Sequence, residues 1–422
     1  MDRRDFLKTS AVIGAGMALG GTRAQAYYSR PANRLGPPQG NRVVVVGGGW
    51  GGVTAARHLA RANVGAEIVL VEPHEFFISC PLSNLFLAGI KPLDYFTFDY
   101  KNVVRDGVNF INDRVYEIDR DKRQIRVGEG LIGYDYLVLA PGISYIPDSI
   151  PGYQEYQAQI PVGFRPQEHV ALRRELEQFS GGNLVIRVPN PPYRCPPAPY
   201  ERASLFAWYL KENQIPGRVI ILDPNPEPVA KPKGFLAAFG ELYPDIIEYR
   251  PNTQVAGLDH ERKSVSTNSG ELDYALINPI PDMRAHPLVE VTGLGERWGL
   301  VRPPHFVSQA DPRVYLIGDI VGNMPAPKSG AIAHAEASIV AREIAARIQR
   351  RSPEELPVEL PTGSCYSFVN QEEAIWVTAE LTLDQVTGEV KNVISSDQNR
   401  SVQSGQVAYA WAQGVWADMF GG

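Results

Sequence analysis

Cysteine is scarce in this sequence, which has only Cys80, Cys195 and Cys365 among its 422 residues. In an oxidising compartment two of the three could form a disulfide, and the third then needs an explanation of its own. The motif Cys-x-x-Cys-His does not occur, so the chain has no site for covalent attachment of a c-type haem. Cysteine is therefore too rare for a disulfide framework and points instead to a few sulfur atoms with specific tasks.

The sequence also lacks an excess of positive charge and a long hydrophobic run. Its formal net charge is −6, which disfavours nucleic-acid binding. Its apolar run from Ala11 to Leu19 is shorter than the ~20 residues of a membrane-spanning helix. The seven histidines show no paired ligand spacing, so we predict no metal site.

The first 26 residues have the three parts of a twin-arginine signal peptide. Arg3-Arg4-Asp5-Phe6-Leu7-Lys8 precedes the apolar run, and Ala24-Gln25-Ala26 has the small residues of a cleavage site. We predict cleavage after Ala26. Such a signal is typical of an enzyme that folds around its cofactor in the cytoplasm and is then exported to the periplasm.

Strand and helix patterns predict an α/β protein with several domains, since 422 residues exceed what one core usually supports. Two strand-turn-helix-strand units, beginning near Arg42 and Asn183, indicate two Rossmann-like dinucleotide-binding domains. After Arg351-Ser352-Pro353 the pattern changes to β-type alternation with an aromatic-rich tail, which we interpret as a small C-terminal α+β domain. The predicted divisions are the signal peptide at 1–26, a first domain at 40–150 and 290–355, a second at 151–289, and the third at 356–422.

The first unit carries a dinucleotide-binding fingerprint. Gly47, Gly49 and Gly52 form G-x-G-x-x-G between strand and helix, and Glu72 lies 20 residues beyond Gly52 at the end of the next strand. The glycines allow a tight turn and close approach of a pyrophosphate to the helix N-terminus, and the carboxylate would accept hydrogen bonds from ribose hydroxyls. The fingerprint alone does not separate FAD from NAD.

The second unit has an abnormal turn at residues 189–202, where six prolines replace the expected glycines. Proline has no N–H and a fixed φ, so this turn cannot cradle a pyrophosphate. We therefore predict that the second domain has no nicotinamide site and that its turn holds Cys195 instead.

Two later segments resemble the second and third signatures of glutathione-reductase-like flavoproteins. They are residues 134–142, Tyr-Asp-Tyr-Leu-Val-Leu-Ala-Pro-Gly, and residues 314–319, Val-Tyr-Leu-Ile-Gly-Asp. The resemblance implies FAD as the cofactor, with Gly318 and Asp319 at the flavin and Asp319 contacting the ribitol.

A more specific resemblance is carried by residues 195–202, Cys-Pro-Pro-Ala-Pro-Tyr-Glu-Arg, together with Cys80-Pro-Leu-Ser-Asn, the late Cys365 and the export signal. Over the mature chain the sequence resembles the flavoprotein subunit of flavocytochrome c sulfide dehydrogenase, a relative of sulfide:quinone reductases. The resemblance implies that Cys80 is bound covalently to the flavin 8α carbon and that Cys195 and Cys365 form a redox disulfide. It also implies hydrosulfide as substrate and a c-type cytochrome subunit as partner. From the residues alone, Cys80 as a plain buried cysteine and two unrelated buried thiols stay open.

Several charged residues near these motifs are candidates for supporting roles. Glu201 could transfer protons, and Arg194 or Arg202 could concentrate hydrosulfide, although surface or helix-capping roles compete for both arginines. Lys328, just before the helix predicted to begin at Gly330, could stabilise an anionic reduced flavin. The alternatives for the whole protein are a sulfide:quinone reductase, an ordinary pyridine-nucleotide disulfide reductase and a non-catalytic exported flavin carrier.

Overall fold

A computed structural model describes residues 28–421, apart from residues 33, 34, 39, 129, 353, 354 and 385. The predicted signal peptide at 1–26 lies outside the described residues. None of the helices in the described part of the chain is both long enough and apolar enough to span a bilayer.

The described residues up to 139 form nine strands and three helices. The strands are β1 (Arg42–Val46), β2 (Glu67–Val71), β3 (Phe76–Ile78), β4 (Thr97–Asp99), β5 (Asn109–Ile111), β6 (Glu117–Asp119), β7 (Gln124–Val127), β8 (Gly130–Gly133) and β9 (Tyr136–Leu139). The helices are α1 (Trp50–Arg61), α2 (Asn84–Leu87) and α3 (Lys101–Arg105), with a 3₁₀ turn at Leu93–Phe96.

The middle of the chain adds nine strands and four helices. The strands are β10 (Ile143–Ile146), β11 (Gly182–Arg187), β12 (Gly217–Leu222), β13 (Ile247–Arg250), β14 (Val255–Asp259), β15 (Ser264–Thr267), β16 (Gly270–Asp273), β17 (Leu276–Pro279) and β18 (Asp282–Ala285). The helices are α4 (Pro166–Gln178), α5 (Ala198–Glu212), α6 (Pro232–Leu242) and α7 (Leu288–Val291), with 3₁₀ turns at Pro147–Ser149 and Gln154–Tyr156.

The last part returns to the first sheet and then forms a C-terminal unit. It contains β19 (Val301–Arg302), β20 (Val307–Ser308), β21 (Val314–Leu316), a 3₁₀ turn at Gly318–Ile320, α8 (Gly330–Ile348), β22 (Thr362–Phe368), β23 (Ala374–Leu383), β24 (Val390–Ser401) and α9 (Val402–Phe420).

In the first sheet, the segments that follow three parallel strands meet at the end of the sheet where those strands finish. Its strand order is β19-β20-β21-β9-β1-β2-β5, and β21, β9, β1, β2 and β5 run parallel. All five residues of β1 are buried, as expected for a strand covered on both faces. Because parallel strands end at the same edge, the residues that follow β1, β2 and β21 meet there, and a dinucleotide fold binds its ligand at this edge.

The second sheet has the order β13-β12-β11-β17, also parallel, and an antiparallel pair of β10 and β18 joins the two sheets. Buried side chains form two clusters, one mainly from residues before 140 and after 284, the other mainly from residues 150–283. The mixed α/β fold with a strand-and-helix C-terminal unit agrees with the sequence interpretation. The exact domain boundaries stay a prediction.

The C-terminal unit has both strands and a helix, as the sequence predicts. Residues 362–401 form the antiparallel sheet β22-β23-β24, and the aromatic-rich tail forms the 19-residue helix α9. The Ser401 side chain accepts a hydrogen bond from the Ser404 amide and caps this helix. Arg57 in α1 donates to the carbonyls of Asp418 and Gly421, which fixes the end of α9 to the first domain.

Asp418 in α9 accepts hydrogen bonds from polar side chains of α1 and α8. His58 Nε2 and His334 Nε2 lie 2.8 and 2.9 Å from its Oδ2, and Arg61 lies 3.2 Å from its Oδ1. These hydrogen bonds, His334 first, hold the pKa of Asp418 well below its usual value. We expect Asp418→Asn to lower the free energy of unfolding by about 1–2 kcal/mol at pH 7, because the side chain is partly exposed.

The pH dependence of this loss has a defined sign. A carboxyl whose pKa is lowered by folding contributes its full stability above its unfolded pKa of about 3.9, and this contribution declines progressively as pH falls from there toward the much lower folded pKa. In urea unfolding, the difference between wild type and Asp418→Asn should therefore be constant from pH 7 to about pH 4 and shrink steadily below about pH 4. Asp245→Asn, at an exposed position, is the matched control and should change stability by less than about 0.5 kcal/mol. A difference that stays constant below about pH 4 would contradict the assignment.

Candidate active site

A cleft with a volume of about 200 Å³ opens at the end of the sheet where β1, β2 and β21 finish. The predicted cofactor-binding residues that line it are Gly47, Gly49, Glu72, Cys80, Gly318 and Asp319.

The glycine turn between β1 and α1 has no room for side chains at two positions. Gly47 has φ +100°, and a Cβ there would lie 2.4 Å from the Ala140 carbonyl oxygen. A Cβ on Gly52 would lie 1.7 Å from the Gly47 carbonyl oxygen, so this glycine lets the helix pack against its own turn. Gly49 caps the N-terminus of α1, and no atom lies within 4 Å of the place where its Cβ would be. The turn is tight where it packs and open where a phosphate would approach.

Glu72 anchors this turn from the end of β2. Its Oε2 accepts from the Gly48 amide at 2.6 Å, and its Oε1 accepts from the His74 amide at 2.8 Å and lies 2.5 Å from His74 Nδ1. Burial alone would raise the pKa of Glu72, but the hydrogen bonds from His74 and Gly48 outweigh it and lower that pKa. The carboxylate is therefore held ionised at the cleft, as an acceptor for ribose hydroxyls must be.

Gly318 and Asp319 follow β21 on the other side of the cleft. Gly318 has φ +74°, and its amide donates to Glu336 Oε2 at 2.5 Å. The Asp319 side chain is 11% exposed and lies 3.5 Å from Arg194 Nε. Arg194 also lines the cleft, so a cation from the proline-rich turn stands next to the predicted ribitol ligand.

The cleft suits a dinucleotide cofactor by its shape and its polar groups. The open position at Gly49 leaves space for a diphosphate, and the N-terminus of the 12-residue helix α1 points positive charge toward it. Trp50 lines the cleft, and its buried indole N–H has no hydrogen-bond partner among the described residues. A buried donor without a partner is costly and suggests that a bound group completes the site.

The three cysteines converge, although 115 and 170 residues separate them along the chain. The thiols of Cys195 and Cys365, both free, lie close enough to shift each other's pKa, and Cys80 is close enough to interact electrostatically with both. Cys80 lines the cleft, whereas Cys195 and Cys365 are not among the lining residues. Burial raises the pKa of the Cys80 thiol, with partial opposition from the neighbouring Arg194 guanidinium.

Both members of the Cys195–Cys365 pair are held by their backbones. Cys195 has φ +54°, its amide donates to the Lys328 carbonyl at 2.7 Å, and its carbonyl accepts from the Ala198 amide at 2.8 Å. Cys365 lies in β22 and pairs with Val377 of β23. Helix α5 begins at Ala198, four residues before the end of the predicted turn, so Glu201 and Arg202 belong to its first turns and not to a loop.

Glu201 lies beside this pair with both carboxylate oxygens engaged. Its Oε1 accepts from the Phe368 amide at 2.9 Å and its Oε2 accepts from Asn84 Nδ2 at 2.7 Å. Burial raises its pKa, and its charge interacts with both thiols. The predicted role of Glu201 in proton transfer stays a prediction.

Arg202 is buried and does not have the surface or helix-capping role considered from sequence. It is 1% exposed, and its guanidinium donates to the carbonyls of Val162 and Gly163 and to Asn278 Oδ1 at 2.7–2.8 Å. It joins α5 to the loop before α4, so a surface or helix-capping role is wrong. Arg194 remains the arginine that faces the cleft.

Lys328 lies next to the cleft, in a smaller cavity with Glu336. Its Nζ donates to the Val321 carbonyl at 2.7 Å and lies 3.7 Å from the centre of the Trp298 ring. Burial lowers the pKa of Lys328 to about 8 and raises that of Glu336 to about 8. The predicted effect of Lys328 on a reduced flavin stays a prediction.

Sequence reasoning missed two buried residues of this region. His169 lines the cleft, and its Nε2 lies 2.7 Å from Ser83 Oγ; burial lowers the pKa of His169 to about 3, so it is neutral. Lys231, 3% exposed, reaches the backbone of Cys365. Neither stands in a recognisable motif, and no sequence signal could have found them.

Comparison with known families assigns most of the chain. Residues 41–179 match pyridine nucleotide-disulphide oxidoreductases. Residues 169–281 match the central domain of the flavoprotein chain of flavocytochrome c sulfide dehydrogenase, and residues 359–420 match the flavin-binding domain of flavocytochrome c sulphide dehydrogenase. The matches show an FAD-dependent oxidoreductase with two segments similar to flavocytochrome c sulfide dehydrogenase. Residues 1–20 match the twin-arginine translocation signal, so this FAD-dependent oxidoreductase is exported to the periplasm.

Individual relatives of this FAD-dependent oxidoreductase include enzymes named for sulfide. Mitochondrial sulfide:quinone oxidoreductase of Mus musculus is 29% identical over 328 residues, which cover 74% of this chain and 72% of that protein. A type II NADH:quinone oxidoreductase of Staphylococcus aureus is 28% identical over 140 residues, covering 32% of this chain and 33% of that protein. Among solved structures, the sulfide:quinone oxidoreductase of Aquifex aeolicus superposes with a TM-score of 0.73 at 18% identity, over 90% of this chain and 92% of that one, and shows the shared fold.

Proposed function

We propose that this FAD-dependent oxidoreductase oxidises hydrosulfide in the periplasm through a Cys195–Cys365 disulfide and passes the electrons to a c-type cytochrome subunit. The observation that carries this proposal is the proximity of the Cys195 and Cys365 thiols beside a dinucleotide cleft. The matches to two domains of flavocytochrome c sulfide dehydrogenase and the export signal support it.

The disulfide supplies the first chemical step. Hydrosulfide attacks one sulfur, a persulfide forms on that cysteine, and the other cysteine leaves as a thiolate. Bound FAD supplies a two-electron acceptor. Glu201 is our candidate for exchanging the proton, and Arg194, which lines the cleft, is our candidate for attracting anionic hydrosulfide.

The residues around the cleft would hold FAD in a defined orientation. The turn at Gly47 and Gly49 takes the diphosphate, Glu72 the adenosine ribose and Asp319 the ribitol. Cys80 lines the same cleft and is our candidate for covalent attachment to the flavin. Because the chain has no haem-attachment motif, a separate cytochrome would receive the electrons.

The second dinucleotide-type unit is unsuited to a nicotinamide cofactor. Asp223 follows β12, as Glu72 follows β2, but Asp223 is fully buried and its Oδ2 accepts from Tyr200 at 2.7 Å and from Tyr249 at 2.9 Å. Its Oδ1 accepts from Asn225. The carboxylate that would bind a ribose is thus used inside the protein, which agrees with the proline-rich turn and argues against NADH as donor.

A sulfide:quinone reductase is the second candidate, favoured by the 29% identity with the mouse mitochondrial enzyme. Both candidate enzymes would oxidise sulfide with FAD as cofactor, and they differ in the electron acceptor. The flavocytochrome matches at both the central and the C-terminal regions favour the cytochrome.

An anaerobic mixing experiment tests the donor. We expect sulfide to bleach the visible absorbance band of the purified holoprotein, and NADH to leave it unchanged, because the second unit lacks a pyrophosphate turn. Stopped-flow absorbance with each donor separately makes the measurement. Bleaching by NADH alone would refute the proposal and restore a pyridine-nucleotide reductase, and bleaching by neither would favour a flavin carrier.

The acceptor is tested on the same reduced protein. A soluble c-type cytochrome should reoxidise it faster than a water-soluble quinone does. The reverse order would favour the sulfide:quinone reductase.

A further inference from the structure

A buried lysine beside the cysteine pair has no role in the function proposed so far. Lys231 precedes α6, is 3% exposed and has φ +54°. Its Nζ donates to Ser367 Oγ at 2.7 Å and to the Cys365 carbonyl at 3.2 Å. The side chain therefore crosses from the second sheet domain to strand β22 of the C-terminal unit.

The position of Ser367 places Lys231 on the thiol side of β22. Side chains two residues apart in a strand point to the same face, so Ser367 and Cys365 share the face that Lys231 approaches. An ammonium group has three N–H donors, and two are used by these hydrogen bonds. The third is available to a sulfur anion on Cys365.

No carboxylate of the described residues lies within ion-pairing distance of the Lys231 ammonium. Burial lowers the pKa of Lys231, and the negative charges of Cys365, Glu201 and Cys195, in that order of strength, oppose this effect. Glu201 already uses both oxygens for Phe368 and Asn84. A buried cation is costly unless an anion accompanies it, and a thiolate on Cys365 would be that anion.

The two thiols therefore differ in acidity. The hydrogen bond from Cys195, and then the charge of Lys231, lower the pKa of Cys365 to about 7 against the opposing effect of burial. The pKa of Cys195 is raised well above its ordinary value, first by that same hydrogen bond. The other titratable groups facing the pair are Glu201 and Arg202 from α5, the latter interacting with Cys195, and the thiol of Cys80 from the segment after β3.

We propose that Lys231 is a positioning residue that stabilises the thiolate of Cys365 and thereby directs hydrosulfide to the sulfur of Cys195. The inference rests on the proposed function. When hydrosulfide attacks the disulfide, a bond forms between the sulfur of HS⁻ and Cys195 Sγ, and the Cys195–Cys365 bond breaks. The electron pair of that bond leaves on Cys365 Sγ, and the proton of HS⁻ stays on the terminal sulfur of the persulfide. A leaving thiol of lower pKa leaves faster, which sets the direction.

The test is the pH profile of alkylation in the reduced holoenzyme. Iodoacetamide is applied between about pH 5 and pH 10, a span that brackets the pKa of an ordinary thiol, and each cysteine is read separately by peptide mass spectrometry. We expect Lys231→Met to raise the midpoint for Cys365 by about one pH unit or more. Lys231→Arg should restore a low midpoint, and Lys233→Met, at an exposed position two residues away, should leave it unchanged. If Lys231→Met loses its flavin, Lys231→Gln is used as the test variant in its place.

The second measurement determines which of the two cysteines carries the persulfide. A brief pulse of sulfide followed by iodoacetamide should place the persulfide on Cys195 in wild type and divide it between both cysteines in Lys231→Met. An unchanged Cys365 midpoint in the Met or Gln variant, or a wild-type persulfide on Cys365, would overturn the inference. The alkylation profile needs no sulfide, so a shifted profile without sulfide bleaching of the wild type would refute the proposed function and leave the Lys231–Cys365 pairing intact.

Discussion

Replacing Cys195 by Ser is expected to slow sulfide-dependent bleaching of the flavin by about three orders of magnitude or more, and Cys365→Ser should have the same effect. Thiol–disulfide exchange needs one sulfur to be attacked and another to leave, so neither cysteine can act alone. The two thiols lie close enough to shift each other's pKa, as expected for a pair that takes part in this exchange. Stopped-flow absorbance under anaerobic conditions measures the rate.

Both variants should retain FAD, because neither residue lines the dinucleotide cleft. Cys80→Ser is the matched control at the third cysteine. It should still be bleached by sulfide, but its flavin should come away on denaturation if Cys80 is the covalent link. Bleaching at the wild-type rate in either pair variant would mean that the pair is structural, and the non-catalytic flavin carrier would become the better reading.

The parts of the site that sequence could predict are those built by short segments of chain. A strand, a glycine turn, a helix and an acidic residue at the end of the next strand specify their own arrangement, because parallel strands end at one edge. The structure places Gly47, Gly49 and Glu72 at that edge as expected. The proline-rich turn was equally informative, since the loss of N–H donors follows from composition alone.

The parts that sequence could not predict depend on distant segments. Cys195 and Cys365 meet only because β22 returns across α5, and Lys231 meets Cys365 across 134 residues. The bounds of helix α9 could not be read from sequence either, because its cap and its contacts with α1 and α8 fix its position. Tertiary contacts thus set both the cysteine pair and the C-terminal helix.

The glycine turn should respond to substitution in two different ways. Gly52→Ala puts a Cβ 1.7 Å from the Gly47 carbonyl oxygen. The backbone at these two residues cannot move apart without displacing α1 from β1. We expect a loss of about 3 kcal/mol in the free energy of unfolding and purification without FAD. Gly49→Ala adds a Cβ with no neighbour within 4 Å, so the protein should fold, with a change within about 1 kcal/mol.

The effect of Gly49→Ala should fall on the cofactor, because the added methyl group occupies the space through which the diphosphate approaches α1. We expect FAD affinity to fall about tenfold or more, which corresponds to about 1.4 kcal/mol. Gly414→Ala, in α9 and free of neighbours, is the control and should be neutral or stabilising by about 0.5–1 kcal/mol. FAD content and urea unfolding of the three variants make the comparison. If Gly49→Ala binds FAD as wild type does, the diphosphate is not held at this turn and the cofactor lies elsewhere in the cleft.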